Sequence, residues 1–356
     1  MKPAVPFLTA ILGVAAALAL LLAGPAAAQT AKPRWAIVIH GGAGVIERGN
    51  MDAQTEAAYR AGLEKALAAG ARVLDRGGSA LDAVEATIRV LEDDPLFNAG
   101  RGAVFTAEGR NELDAAIMDG RTLKAGSVAG VSRARNPISL ARAVMERSPH
   151  VMLSGVGADA FAREQGLELA DPAWFFTERR WRALEAELEQ RGLPVPIRPP
   201  GAPAPSKAVT GLLDERKFGT VGVVALDANG DVAAGTSTGG TTAKRWGRIG
   251  DAPIIGAGTY ASNDSCAVSA TGTGEYFIRL TVAREICALV QYRGMTLQAA
   301  ADEVIQKRLT ALGGDGGVIA LTPDGQLAWS FNTSGMYRAR AAQGQAPVIG
   351  IYKDEP

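Results

Sequence analysis

The residues with the most chemical potential in this 356-residue chain form one dipeptide, Gly219-Thr220, within Phe218-Gly219-Thr220-Val221-Gly222. Cutting that bond would make Thr220 a new N-terminus, with a free α-amine beside its hydroxyl. Such a pair is a nucleophile with its own base. The amine has a reference pKa of about 7.7 to 8.0, so it is partly neutral near pH 7 and can accept the hydroxyl proton. The cut can be internal chemistry. The Thr220 hydroxyl attacks the Gly219 carbonyl, an N→O acyl shift gives an ester, and water hydrolyses it. The same Thr would then attack a substrate amide and pass through an acyl-enzyme. Read locally, the dipeptide is also a loop glycine followed by the first residue of a strand.

Three further groups could serve this nucleophile. Thr236-Ser237-Thr238-Gly239-Gly240 closes the hairpin that Thr220 opens, and antiparallel pairing would bring Thr238 beside Thr220. In Arg248-Ile249-Gly250-Asp251 the guanidinium could hold a carboxylate bidentately and the Asp an ammonium, together a clamp for an amino acid. An ordinary surface pair has the same sequence. Thr271-Gly272-Thr273-Gly274 lies between a strand and a helix, where backbone N–H groups could face an oxyanion or merely make a turn. No Gly-Lys-Ser/Thr follows, so it is not a P-loop. Only two histidines are present, His40 and His150. A His-rich metal site is excluded, and a hydrolase here has little imidazole to use as base.

The elements that must hold these groups can be read from periodicity and breakers. Trp35 to His40 is a buried strand, expected to end at Gly41-Gly42-Ala43-Gly44. Helical spacing covers Asp52 to Arg76, and Ser79 to Leu91 with Ser79 as N-cap. Leu113 to Met118 is a short strand; Ser139 to Arg147 and Pro172 to Gln190 are helices. From Leu193 to Lys217 prolines crowd a polar stretch, the pattern of a flexible linker. Order returns at Thr220 to Leu226, with the turn Asp227-Ala228-Asn229-Gly230 and a return strand from Val232 to Ser237. A strand from Ser265 to Thr271, helices over Glu275 to Tyr292 and Thr296 to Leu312, and a hairpin from Gly317 to Phe331 complete the pattern. Hairpins and helices in blocks argue for antiparallel sheets covered by helices rather than a doubly wound array.

The N-terminus reads as an export signal, residues 1–28: Lys2, the apolar run Phe7 to Leu22, then Ala26-Ala27-Ala28 before Gln29. The mature chain, 29–356, would be exported, periplasmic or secreted, with no membrane attachment after signal removal. Lys+Arg and Asp+Glu are both 37, which gives no case for a nucleic-acid partner. Export would permit a disulfide between Cys266 and Cys287, but both sit in apolar runs, the pattern of buried free thiols.

In order along the chain, these pieces resemble the plant-type L-asparaginase / isoaspartyl peptidase family of N-terminal nucleophile hydrolases. The resemblance rests on His40 to Gly44, Phe97-Asn98-Ala99-Gly100, Gly102 to Thr106, Leu113-Asp114-Ala115, Gly219 to Gly222, Thr236 to Gly240, Gly247-Arg248, Gly250-Asp251, Thr271 to Glu275 and Asn332-Thr333 with Gly335 to Arg338. It implies an α+β fold, a four-layer αββα sandwich of two mainly antiparallel sheets, as one domain. It implies self-cleavage into an α chain (29–219, with the flexible part 193–217) and a β chain (220–356). Thr220 would be the nucleophile and Thr238 its hydroxyl neighbour. Thr271 and Gly272 would form the oxyanion hole. Asn98, Arg248, Asp251 and Gly274 would line the substrate site with them. No cofactor is implied for the chemistry, but a structural sodium is, held by backbone carbonyls of Leu91, Glu92, Asp94, Phe97, Ala99 and Arg101. Thr241, Ala243, Arg245 and Trp246 depart from the family's usual run. The expected activity is hydrolysis of β-aspartyl dipeptides and of L-asparagine, by a homodimer of αβ heterodimers. The alternatives are a glycosylasparaginase-like hydrolase or an uncleaved periplasmic amino-acid- or peptide-binding protein.

Overall fold

The structure, a computed structural model, describes residue 1 and residues 34–204 and 219–356. The expected signal peptide, Met1 apart, lies outside the described residues, as does the end of the Pro-rich segment. Pro33–Pro356 is one compact unit.

β1 (Ala36–Gly44) and β5 (Thr220–Leu226) lie at the centre of an eight-stranded sheet. β6 (Val232–Thr238), β2 (Leu113–Asp119), β3 (Ala125–Val131) and β4 (Met152–Ser154) extend it on one side. β11 (Gly335–Ala342) and β12 (Val348–Tyr352) finish the other. Only the β3–β4 pairing is parallel. A second, antiparallel sheet runs β10 (Leu327–Phe331), β9 (Gly316–Leu321), β8 (Ala267–Gly272), β7 (Thr259–Ala261).

Successive strand side chains point to opposite faces, and here both faces are buried. Ile37, Ile39, Val221 and Val223 pack against α1 (Ala53–Asp75), α2 (Ala80–Asp93) and α3 (Pro137–Arg147). Ala36, Val38, Val224 and Leu226 pack instead against Ala267, Ile319 and Leu321 of the second sheet. That sheet's other face, with Val268 and Ala270, carries α8 (Val282–Arg293) and α9 (Leu297–Asp302). Three apolar cores thus separate four layers, the αββα sandwich, with an α+β element order. α4 (Gly155–Glu164), α5 (Pro172–Phe175), α6 (Glu178–Gln190) and α7 (Gly274–Leu280) fill the periphery.

Several expected boundaries move. β1 does not stop at Gly41; a bulge between His40 and Gly42 absorbs one glycine, and pairing with β11 resumes through Gly44 opposite Gly335. The helix expected over Glu275 to Tyr292 breaks at Thr281, held at φ 47°. α8 restarts there because the N–H groups of Ala283 and Arg284 bond the carbonyls of Ala257 and Gly256. Pro172 to Gln190 is split, since Thr177 caps a new helix by accepting from the Arg180 N–H. Past α9 the chain continues as a π-helical stretch, Glu303–Leu309.

The free-thiol expectation for Cys266 and Cys287 is overturned: they form a disulfide. Cys266 precedes β8, and the outer face of that strand carries α8 with Cys287, which brings the two Cα atoms to 5.3 Å, within bridging range. Residues 193–204 have no helix or strand, as a linker should, but they are tied down. Arg198 pairs with Glu178, and Leu193 and Ala202 pack on the cluster around Phe105 and Trp181.

Candidate active site

The hairpin register puts Thr220 directly opposite Thr238. Counting back from Val224 and Ala234, both side chains fall on the face toward the second sheet. The same parity brings His40 from β1, and Ser269 and Thr271 from β8, into that inter-sheet gap. Thr220 Oγ1 donates to Thr238 Oγ1 at 3.1 Å, and Thr238 Oγ1 donates to the Gly219 carbonyl at 3.3 Å. The Gly240 N–H in turn donates to Thr238 Oγ1 at 3.0 Å, which orients that hydroxyl. A proton path therefore runs from the would-be nucleophile to the oxygen of the bond expected to break.

This bond is crowded from both sides. A Cβ on Gly219 would stand 2.7 Å from Asn98 Cβ, and one on Gly42 would stand 2.9 Å from Gly219 Cα, so neither position has room for a side chain. Asn98 is 2% exposed, and its amide is committed: Nδ2 donates to Gly240 O at 2.8 Å and Oδ1 accepts from the Val104 N–H at 2.9 Å. It braces the loop beside the cut.

His40 has a role that its rarity did not reveal. Its Nδ1 lies 3.0 Å from the Thr220 carbonyl and its Nε2 lies 3.1 Å from Ser269 Oγ. A carbonyl only accepts, so Nδ1 carries the hydrogen. Complete burial pushes the imidazole pKa down to about 3, so the ring is neutral and Nε2 accepts from Ser269. Ser269 then accepts from Thr236 Oγ1 at 2.6 Å, and Thr236 from Thr259 Oγ1 at 2.6 Å. His40 faces the Thr220 carbonyl, not its hydroxyl. It fixes the backbone of Thr220, the expected nucleophile, and is not placed to act as its base. Strand alternation could have brought His40 into the site from sequence, and Thr236 opened a motif already singled out; Ser269 and Thr259 carried none.

Thr271, fully buried, and Gly272, half-buried, end β8 opposite Gly317 and Gly316. Thr271 Oγ1 accepts from the Ala43 N–H at 3.3 Å, which ties β8 to the glycine segment of β1. Gly274 opens α7 where the clamp residues meet. A Cβ there would fall 2.9 Å from Asp251 Oδ1 and 3.1 Å from Arg248 Nη2. Glycine therefore leaves open the small space that both clamp residues border. Asp251 is 6% exposed, and its Oδ2 has no hydrogen-bond partner. Burial pushes its pKa up to about 7. A buried carboxylate oxygen without a donor is what an ammonium ligand would satisfy. Arg248 is already engaged: Nε and Nη2 hold Glu275 Oε1 and Oε2 at 2.9 and 3.0 Å. Glu275 stood at the end of a sequence motif without a role; here it occupies the carboxylate-gripping side of the guanidinium.

The segment from Leu91 to Arg101 closes α2 and turns beneath Asn98. A Cβ on Gly100 would collide with the Glu92 carbonyl oxygen, and one on Gly102 with the Phe97 carbonyl oxygen. Both carbonyls thus pack against backbone that only glycine allows, and the carbonyls expected to bind here are an oxygen-only donor set, the kind a hard cation takes. The Glu92 side chain is not part of it. Its Oε1 accepts from Ser237 Oγ at 2.7 Å and from the Ile138 N–H at 3.0 Å, and burial raises its pKa to about 8. Among the described residues no group of His, Cys, Asp and Glu could hold a metal ion. No described helix is long and apolar enough to cross a membrane.

Comparison with known proteins identifies the family. A family described as asparaginase matches residues 33–351. The isoaspartyl peptidase of Escherichia coli is 50% identical over 319 residues, covering 90% of this chain and 96% of that protein. The isoaspartyl peptidase/L-asparaginase of Xenopus laevis is 40% identical, over 90% of this chain and 96% of its own length. The plant-type L-asparaginase of Pyrococcus abyssi is 42% identical, over 89% and 99%. With the Thr220–Thr238 pair at the head of its central hairpin, the chain belongs to this asparaginase family, with the plant-type L-asparaginases and isoaspartyl peptidases.

Proposed function

We propose that the protein is an exported precursor that cuts its own Gly219–Thr220 bond and then hydrolyses β-aspartyl dipeptides and L-asparagine with Thr220 as nucleophile. The observation that carries this reading is the hydroxyl relay from Thr220 through Thr238 to the Gly219 carbonyl.

In the first stage Thr220 Oγ1 adds to the Gly219 carbonyl carbon. Its proton passes to Thr238, and the Thr238 proton passes to the carbonyl oxygen. Collapse expels the Thr220 nitrogen, which takes up a proton and leaves an ester on Oγ1. Water cleaves that ester to a Gly219 carboxylate and a free Thr220. In the second stage the Thr220 amine accepts the hydroxyl proton as Oγ1 adds to the substrate's β-carbonyl. Thr271 and the Gly272 N–H would face the oxyanion. The amine leaving group takes the proton, and water hydrolyses the β-aspartyl ester. His40 keeps the Thr220 carbonyl still throughout. Asp251 would receive the substrate's ammonium, and Arg248 its α-carboxylate, at Nη1 or by displacing Glu275.

Two further parts of the reading are a sodium ion held by the backbone carbonyls of the 91–101 segment and a dimer of αβ heterodimers. A sodium ion would stiffen the loop that braces Gly219. Sedimentation of the mature protein tests the dimer. The central reading is tested on a denaturing gel. Purified protein is expected to resolve into chains ending at Gly219 and beginning at Thr220, and to release ammonia from L-asparagine. One full-length band that persists for days at neutral pH sinks it.

A further inference from the structure

Beside the clamp lies a cavity of about 400 Å³ with a basic lining: Arg191, Lys244, Arg245, Trp246, Arg248 and Glu275. It shares Arg248 and Glu275 with the clamp, which therefore form a wall common to both. Resting on the hydrolase reading above, we propose that this cavity is a second subsite, and that Arg245 there grips the free C-terminal carboxylate of a β-aspartyl dipeptide.

Most of the cavity's cations are committed. Arg191 pairs with Glu187 at 2.7 Å. Lys244 is buried, and its Nζ donates to the Glu112 carbonyl at 2.7 Å. Arg248 pairs with Glu275 at 2.9 Å. Arg245 has no carboxylate partner among the described residues; its guanidinium lies 4.6 Å from the centre of the Trp246 ring. Trp246 is 89% exposed, so that ring is a platform facing solvent, not core.

The loop is also held in a backbone shape that non-glycine residues avoid. Ala243 has φ 56° and Trp246 φ 59°, two left-handed residues within four positions. Such conformations persist where surroundings over-determine them, and they gather at ligand clamps. The Lys244 N–H bonds the Thr241 carbonyl at 3.2 Å and the Arg248 N–H bonds the Arg245 carbonyl at 3.0 Å, so both guanidiniums spring from one turn. The turn reaches the nucleophile through Gly240, where a Cβ would stand 3.2 Å from Lys244 Nζ and 3.5 Å from Arg248 Nη1. Gly240 itself orients Thr238.

Two guanidiniums on one turn match the charge of one substrate class. A β-aspartyl dipeptide carries two carboxylates, one on the aspartyl residue and one at the end of the second residue. L-asparagine carries only the first. Arg248 accounts for that one; Arg245 accounts for the other, with the second residue's side chain against Trp246.

The test compares β-aspartyl-phenylalanine, its C-terminal amide and L-asparagine on the mature enzyme. The parent is expected to favour the free acid over the amide by about tenfold in kcat/KM, the scale of one charge-assisted contact. Arg245→Ala should erase that preference, Arg245→Lys should keep part of it, and Trp246→Ala should lower dipeptide turnover relative to L-asparagine. Each ratio comes from a single preparation, so incomplete folding or maturation cancels. A parent that treats acid and amide alike, or an Arg245→Ala enzyme that keeps the preference, overturns the subsite. A parent that hydrolyses L-asparagine but shows no acid preference leaves the hydrolase reading standing and the subsite refuted. A parent that hydrolyses none of the three overturns both.

Discussion

The hairpin that carries Thr220 and the loop that carries Arg248 are consecutive in the chain, yet they are built differently. In the hairpin every position follows from the strand register, and the hydroxyls and the imidazole at its inter-sheet face have partners. In the loop, non-glycine residues sit at positive φ, Asp251 Oδ2 and Thr242 Oγ1 have no partner, and Trp246 stands in solvent. A satisfied network holds one geometry and leaves nothing for a ligand to supply. An unsatisfied one is incomplete until a ligand arrives. Under the proposed function the contrast gives bond-making to the hairpin and recognition to the loop, and experiments can separate the two.

The largest effect falls on the hairpin. Thr220→Ala should abolish both self-cleavage and turnover, read by denaturing gel and ammonia release; activity that survives would mean another nucleophile. Thr238→Val comes next. It keeps the shape but removes the acceptor for Thr220 and the donor to Gly219, and self-cleavage should slow by about 10²–10³-fold. If the variant matures at the parental rate, the relay is not how this bond breaks.

How much of this contrast could be read in the sequence depended on distance along the chain. The Thr220–Thr238 pairing was legible because the turn at Asp227-Ala228-Asn229-Gly230 fixes it: Leu226 pairs with Val232, and each step outward adds one residue per strand. The continuation of β1 through Gly41 to Gly44 was not, because four small residues in a row resemble a loop and only pairing with distant β11 makes them a strand. The His40–Ser269 bond spans 229 positions, and nothing local to either residue announces it. The clamp motif was visible, but the engagement of Arg248 by Glu275 depends on how α7 meets the loop.

The Cys266–Cys287 disulfide was missed for a related reason: apolar neighbours fit a buried thiol and a buried bridge equally well. It closes a loop of sequence separation 21, for which the chain-entropy model gives about 3 kcal/mol. Reduction, or Cys266→Ala with Cys287→Ala, should lower the urea midpoint accordingly while kcat stays near parental, because the bridge lies on the face of β8 away from Thr271. A fall in kcat as large as the fall in stability would mean that β8 needs the bridge to present Thr271 and Gly272.

The smallest effect divides hairpin from loop most directly, through pH. His40 is held neutral, with its pKa near 3, so the hairpin's imidazole does not titrate between pH 5 and 9. Asp251 does, because burial raises its pKa to about 7. Its carboxylate form, the one that can receive an ammonium, therefore dominates above that pH and is lost below it. This titration alone should lower kcat/KM for L-asparagine about tenfold for each unit below pH 7, mainly through KM. The Thr220 amine adds a second limb with the same sign near pH 7.7 to 8.0, since it too must be deprotonated. Asp251→Asn separates them: the limb near 7 should vanish while the amine's limb stays. Self-cleavage in the precursor precedes the free amine and uses no clamp, so its rate should show no inflection near pH 7. If self-cleavage follows the Asp251 titration, loop and hairpin are one coupled unit, and the division between recognition and bond-making fails.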